Sequence, residues 1–271
     1  MPAEQSIVMN GPTHAFVRPP GDSYEKALGQ APDAEPIDIN RARAQHSLYL
    51  DALRASAIEV TVLAEAEQWP DSCFVQDVAL LLPALSILSR PAEPSRQGEV
   101  DLIRPYLPVR NPVVEISAPG TLEWGDVLIL DQNLVVGLSA RTNQAGSEQL
   151  RQFVVPLGLT VETLTVPEGL HLLSGINSLG RAPGQDDGPF VVVAWPLYAD
   201  LAQIRGADII VTPDDESGAA NCLALGDTVI VPAGFPRTAT AIWRRGFRVL
   251  TVPIGEFAKS DGGVTCLSLL S

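Results

Sequence analysis

The sequence predicts an α/β fold of five similar modules that close into a ring with pseudo-five-fold symmetry, an α/β-propeller. Three observations predict it. The apolar runs are short and bounded by Gly, Pro, Asp and Asn, which marks strands separated by turns. Segments with helical spacing lie between those runs. The order strand, strand, helix, strand recurs at a period of roughly 40–50 residues, in the range of repeat and propeller architectures. The modules share a pattern rather than residue identity, so a plain α/β fold with mixed connections stands as the alternative.

Taken along the chain, "HAFVRPP" is a strand, "INRARAQHSLYLDALRAS" a helix reached by a longer loop, and "IEVTVL" a closing strand. The second module reads "FVQDVALLLPALSILSR" as two strands, "PAEPSRQGEVDLIRPYL" as a helix and "VVEIS" as the closing strand. In the third, "DVLILDQNLVVGLS" is two strands around a "DQN" turn, "ARTNQAGSEQLRQFVVPLG" a helix and "LTVETLTVP" a strand. The fourth runs through "LLSGINSLGR", "GPFVVVAWP", the helix "LYADLAQIRG" and "ADIIVTP". The fifth is "CLALGDTVIVPAG", the helix "FPRTATAIWRRG" and "FRVLTVP". In a closed ring the tail "GGVTCLSLLS" becomes a strand pairing with an early module, since closure removes free sheet edges. Residues 1–271 read as a single domain.

A hydrophobic content of 46% with 18% charged residues is ample for a core and argues against disorder. The formal net charge of −14 disfavours nucleic acid and anionic membranes as partners and suits a small cationic one. "MPAEQSIVMN" has no basic n-region and no long apolar stretch, so no signal peptide is expected. The longest apolar run, "VALLLPALSIL", is 11 residues with a proline inside, too short to span a bilayer. Three cysteines cannot all pair, which suggests a reducing, cytoplasmic setting.

Each closing strand is followed by a loop into the next module. In order these loops carry Asp71 and Asp77; Glu123 and Asp126; His171; Glu216, Asn221 and Cys222; and Asp261 and Cys266. Equivalent positions in a ring face one centre. The five loops would therefore gather a nucleophile, a base, an orienting carboxylate and acidic partners for a cation. A Cys in an apolar strand is more often packing than chemistry, and Cys73 and Cys222 read that way. For Cys266 packing and nucleophile both stay open, the flanking glycines and the junction favouring chemistry. His14 and His46 read as structural or surface residues, whereas His171 follows a Pro-Glu-Gly turn at a junction. There is no CxxC or HExxH pattern for a metal, no GxGxxG, no Walker sequence and no GxSxG elbow.

The stretches "PDSCFVQD", "SRPAEPSRQGEV", "APGTLEWGD", "GLSARTNQAG", "EGLHLLSG", "ANCLALGDTVIVPAGFPRT" and "DGGVTCLSL" together resemble dimethylarginine dimethylaminohydrolases. These are guanidine-modifying enzymes of the pentein class. The resemblance runs from about Phe16 to the C-terminus. It implies Cys266 as nucleophile, His171 as general acid/base and Glu123 as the carboxylate orienting the histidine. It also implies Asp71 and Asp77 as holders of the guanidinium, with Phe74 and Gln76 beside them. Arg90 and Arg141 would grip the substrate's α-carboxylate and neighbouring polar groups. Leu28 would belong to the loop that lids the pocket, and Ser260 would offer its backbone carbonyl to the substrate amine. Two positions depart from the family: Gln76 stands where Glu is usual, and Trp124 where a small residue is usual. The first is expected to alter the cation pocket, the second to narrow it.

The resemblance implies hydrolysis of Nω-methylated arginines to citrulline and an amine through a covalent thiouronium, with no metal or organic cofactor. A homodimer is compatible with it. Two other readings remain: a related pentein hydrolase or deiminase acting on arginine, citrulline or another guanidino or ureido compound, and a non-catalytic module binding a cationic amino acid.

Overall fold

In the computed structural model, which describes residues 11–29, 35–166, 169–198 and 200–271, the repeated pattern becomes five three-stranded sheets. β1 (His14–Val17) is followed by α1 (Ile39–Ala55) and returns parallel as β2 (Glu59–Val62). β3 (Ala79–Leu82) turns back into β4 (Leu85–Leu88), which β5 (Val113–Glu115) joins in parallel. β6 (Val127–Leu130), β7 (Asn133–Leu138), α2 (Gln144–Val154) and β8 (Thr160–Thr165) repeat the arrangement. So do β9 (Ile176–Arg181), β10 (Phe190–Ala194) and β11 (Asp208–Val211). β12 (Leu223–Leu225), β13 (Thr228–Pro232), α3 (Pro236–Trp243) and β14 (Arg248–Val252) form the fifth sheet. After the single turn of α4 (Gly255–Ala258), β15 (Leu269–Leu270) pairs antiparallel with β1, Ala15 opposite Leu270 and Phe16 opposite Leu269. The C-terminal strand thus completes the sheet that the N-terminal strand begins, as ring closure requires.

Two predicted helices are absent as α-helix. In the second module the helical segment is a 3-10 run over Pro94–Leu102, because Pro94 and Gly98 disfavour regular α-helix there. In the fourth it shrinks to one 3-10 turn, Leu201–Gln203, capped by the Asp200 side chain on the Ala202 N–H. That segment is too short to offset the cost of helix nucleation. The other three crossovers are α-helices with sequence-encoded starts. Asp38 accepts from Asn40 N and Arg41 N at the head of α1, Asn143 accepts from Gly146 N at the head of α2, and Pro236 opens α3. α1 buries Ala42, Gln45, His46, Tyr49, Leu50 and Leu53, one face at helical spacing.

The core is divided as the sheets are. Phe16, Leu63 and Leu269 pack on Val78, Leu81 and Leu88 between the first and second sheets. Leu82 and Ile87 meet Val127, Leu134 and Val136 between the second and third. Leu128 and Val135 meet Ile176 and Val192 between the third and fourth. Val191 and Val193 meet Val229 and Val231 between the fourth and fifth. Leu223 and Ile230 return to Ala15, Tyr49 and Leu53. Each apolar cluster is shared by neighbouring sheets, so the sheets follow one another around a closed circuit and the loops before β3, β6, β9, β12 and β15 face its axis. Among the described residues no helix is long and apolar enough to cross a membrane.

Candidate active site

Four of those five loops converge on one small cavity. It is lined by Asp71, Phe74 and Asp77 before β3, by Leu170 and His171 before β9, and by Ser260, Asp261, Gly262 and Cys266 before β15. Leu28, Gly29, Arg96 and Arg141 complete the lining. Glu123, from the loop before β6, stands directly behind His171: His171 Nε2 and Glu123 Oε2 are 2.7 Å apart and both residues are buried. Pro167 and Glu168 of the turn leading to His171 lie outside the described residues. The free space is about 20 Å³, room for little more than one water. The cavity is closed on one side by Leu28, whose N–H donates to Asp71 Oδ1 at 3.0 Å. Gly29 lies against Ser260 and Asp261 with a φ of +80°; a Cβ there would come within 2.7 Å of Asp261 Oδ2, so glycine suits both the turn and the contact.

The His171 ring packs against Gly125, where an added Cβ would sit 2.7 Å from ring atoms. With Nε2 committed to Glu123, Nδ1 is the nitrogen free to exchange a proton. Glu123 Oε1 accepts from Ala92 N at 3.1 Å and lies 3.6 Å from Arg141 Nη1. Burial opposes its charge, but the His171 hydrogen bond and charge, with the Arg96 and Arg141 guanidiniums, outweigh burial and hold it well below the usual carboxylate range. Burial likewise opposes the imidazolium of His171. Asp77, the Glu123 hydrogen bond and Asp126 prevail over it and push His171 up to about 9. Burial, then the Asp77 charge, pushes the Cys266 thiol up to about 11. At neutral pH the resting site therefore holds a thiol, an imidazolium and a carboxylate.

Cys266 sits in a tight turn, its N–H donating to Gly263 O at 3.2 Å and its carbonyl accepting from Gln76 N at 3.2 Å. The fourth junction loop supports this turn. Asn221 donates to Thr265 Oγ1 and Leu173 O and accepts from Thr265 N at 3.1 Å. A side chain at Gly263 would meet Asn221 at 2.2 Å, which accounts for one of the glycines before the cysteine. Cys222 is packed in the core between the fourth and fifth sheets, Cys73 in the core between the fifth and first. Glu216 accepts from Thr238 and Arg237 at the head of α3. His46 is a buried face residue of α1, and His14 pairs with Thr61 Oγ1 at 2.8 Å.

Of the predicted residues, Cys266, His171, Asp71, Asp77, Phe74, Arg141, Leu28 and Ser260 line the cavity, and Glu123 backs it. The Ser260 hydroxyl is engaged with Tyr24 Oη at 2.7 Å and Phe257 O at 3.1 Å. Three expectations change. Arg90 does not line the cavity: its backbone bridges to Leu122 and its guanidinium donates to Gly120 O at 3.3 Å, tying the second sheet to the loop before the third. Arg96, six positions on in the same motif, lines it instead. Its Nη1 donates to Asp77 Oδ2 at 2.9 Å while Nε and Nη2 grip Glu99. The only signal for it in the sequence was Glu99 one helical turn later.

Gln76 and Trp124 do not face the cavity either. Both line a separate space of about 1010 Å³ that shares no lining residue with the first. Neighbouring residues of two short turns divide between the two spaces, Gln76 from Asp77 and Thr265 from Cys266, and Trp124 lines the larger one next to Glu123. Among the described residues neither Gln76 Oε1 nor Trp124 Nε1 has a hydrogen-bond partner.

Asp77, Glu123 and His171 bring donor atoms within 4.8 Å of one another, close enough for a metal ion. The Arg96 guanidinium already meets that negative charge, bonded to Asp77 and 3.8 Å from Glu123 Oε2. A divalent ion would have to displace a buried cation held by Glu99.

The chain matches the family model for N,N dimethylarginine dimethylhydrolase, eukaryotic, over residues 18–167. It is 36% identical over 258 residues to an N(G),N(G)-dimethylarginine dimethylaminohydrolase of Pseudomonas aeruginosa, covering 94% of this chain and 98% of that protein. A Streptomyces coelicolor protein of the same name is 33% identical, with 94% and 95% coverage. A dimethylarginine dimethylaminohydrolase solved as an adduct with S-methyl-L-thiocitrulline superposes with a TM-score of 0.86 at 32% identity, over 96% of this chain and all of that one. The Pseudomonas aeruginosa enzyme complexed with citrulline, in a cysteine-to-serine form, gives 0.86 at 32% identity over 97% and 100%.

Proposed function

Because the chain belongs to the dimethylarginine dimethylaminohydrolase family, we propose that it hydrolyses Nω-methylated arginines to citrulline and methylamine or dimethylamine, residues 1–271 acting as a single catalytic domain. The observation that carries this reading is the His171–Glu123 pair at 2.7 Å on the cavity that also holds Cys266, Asp71 and Asp77. The buried acidic groups suit a ligand that stays cationic, and a guanidinium does. Asp71, which accepts from the Leu28 N–H, and Asp77 would fix the guanidinium face. Arg141 Nη1 lies 3.6 Å from Glu123 Oε1 and makes no hydrogen bond among the described residues, which leaves it able to turn to the substrate α-carboxylate. Entry of an arginine-sized ligand into so small a space would require Leu28 and Gly29 to move aside.

The chemistry follows from the protonation states. Cys266 begins as a thiol; the incoming cation favours its thiolate, and the proton leaves to solvent. Sγ attacks the guanidinium carbon, forming a C–S bond and a tetrahedral adduct. His171 gives its Nδ1 proton to the departing amine as the C–N bond breaks, leaving a thiouronium on Cys266. Neutral His171 then takes a proton from water, whose oxygen attacks the same carbon. Collapse breaks the C–S bond, releases citrulline and returns the thiolate. Two lower barriers replace one high one. Glu123 holds the tautomer and steadies the imidazolium.

The test is citrulline release from asymmetric dimethylarginine, monomethylarginine and unmodified arginine, each with the Cys266→Ser variant beside it. Product from the methylated substrates, lost in a folded variant, is the expected result. Product from arginine alone would move the specificity to a deiminase, and product from none would overturn the reading.

A further inference from the structure

Resting on that reading, the geometry points to Asp126 as a positioning residue of the reaction: one buried carboxylate that ties the His171 turn to the Arg141 turn and sets the general acid and the carboxylate clamp in register. Asp126 is fully buried and does not line the cavity. Its Oδ1 accepts from the N–H of Leu172, the residue after His171, at 2.9 Å. Its Oδ2 accepts from Ser139 Oγ at 2.7 Å, and Ser139 Oγ in turn accepts from Arg141 N at 2.9 Å and Thr142 N at 3.2 Å. Thr142 Oγ1 accepts from Glu123 N at 3.1 Å and also reaches the Asp126 carboxylate. One side chain therefore stands behind three residues at once: Glu123, His171 and Arg141.

The arrangement exceeds what folding the loop requires. A neutral amide could accept the Leu172 N–H as well, yet the chain places a carboxylate here. Burial pushes the Asp126 carboxyl up; the charge of His171 and the hydrogen bonds from Ser139, Thr142 and Leu172 resist that. The groups facing His171 are Glu123 in its hydrogen bond, Asp77 across the ring and Asp126 beneath the turn. Arg96 and Arg141 answer Glu123, and Asp261 and Cys266 stand across the cavity. Asp126 is thus a third carboxylate acting on the imidazolium and, like Glu123, it does not line the cavity.

The experiment titrates the His171 imidazole by NMR in the intact chain, where only three histidines need assignment, and pairs it with steady-state kinetics. Asp126→Asn keeps the Leu172 acceptor and removes the charge. The expected result is a fall in the His171 midpoint of about one pH unit or more, with kcat lowered roughly tenfold or more at neutral pH. Ser139→Ala cuts the Arg141 and Thr142 arms and leaves the Leu172 bond and the Asp126 carboxylate in place; it is expected to raise KM about tenfold with kcat lowered less, and the His171 midpoint moved less, than in Asp126→Asn. A His171 midpoint unchanged in Asp126→Asn overturns the proposal, as does an unchanged KM in Ser139→Ala. Should Asp126→Asn fail to fold, Ser139→Ala decides alone. The titration needs no substrate, so an enzyme that releases no citrulline but whose His171 midpoint falls would defeat the proposed function and leave the His171 arm of this inference standing.

Discussion

Three short segments of backbone separate two cavities that differ in almost everything. On one side Asp77 and Cys266 meet a space of about 20 Å³ crowded with charge, with Glu123 behind His171. On the other, their neighbours Gln76, Trp124 and Thr265 meet about 1010 Å³ lined largely by Leu, Val, Ala and Pro. Consecutive residues of these short turns divide between the two spaces, so a shift of one residue moves a position from reacting chemistry to wall. Composition alone does not reveal which side a residue takes. The reactive side is also the tighter, and low dielectric there amplifies every charge.

The largest effect expected of this contrast is at Cys266. Cys266→Ser should lower turnover by roughly 10⁴-fold or more, as loss of a nucleophile does elsewhere, while Thr265→Ser, one residue away, keeps most of it. Equal losses in both would end the distinction between the two sides. Glu123→Gln comes next. The amide cannot hold the imidazolium, so the His171 midpoint falls from about 9 and kcat drops by about 10²–10⁴-fold. A kcat that stays within tenfold would remove Glu123 from its orienting role. The thiol supplies the third. Alkylation of Cys266 by iodoacetamide should keep accelerating above pH 9 toward the thiol's value of about 11, because the thiolate forms as pH rises. A guanidinium ligand that leaves the thiol accessible should bring that rise to lower pH. A rate already flat at pH 7 would mean a resting thiolate.

How much of this was legible beforehand depends on which force fixed each residue. The five modules were legible because alternating apolar runs and turn residues are local signals. The closing strand was legible because a ring must pair its ends, as Phe16 and Leu269 do. Cys266, His171 and Asp77 stood out as candidates from their place at module junctions, and the family resemblance supplied the roles proposed for them. Arg90 and Arg96 could not be separated in this way. Both lie in one motif, and the choice between them rests on Asp77 and Glu99 meeting across a 3-10 run that sequence spacing had drawn as an α-helix. Gln76 and Trp124 were misplaced for a related reason: each lies at the edge of a short 3-10 turn before its strand, where neither helical nor strand periodicity predicts the facing.

The smallest expected effect is therefore the most discriminating. The family resemblance marks Gln76 as the position where a glutamate is usual, and a reader of the sequence would expect Gln76→Glu to retune substrate preference. In the structure only the Gln76 backbone touches the site, through its N–H on Cys266 O at 3.2 Å, and the substitution leaves that bond in place. Its side chain faces the apolar space with Oε1 buried and unpartnered. A carboxylate there meets a desolvation penalty of about 1–3 kcal/mol, expected as a fall in Tm of a few degrees. The ratio of kcat/KM for dimethylated over monomethylated arginine should stay within about twofold, since an indirect shift of the Cys266 carbonyl acts on both substrates alike. A change in that ratio of tenfold or more at unchanged Tm would place the Gln76 side chain against the substrate and erase the boundary between the two cavities. Trp124→Phe, which trims a buried side chain of the same wall together with its unpartnered Nε1, is the companion control: it should lower Tm through the space left behind and leave the ratio unmoved.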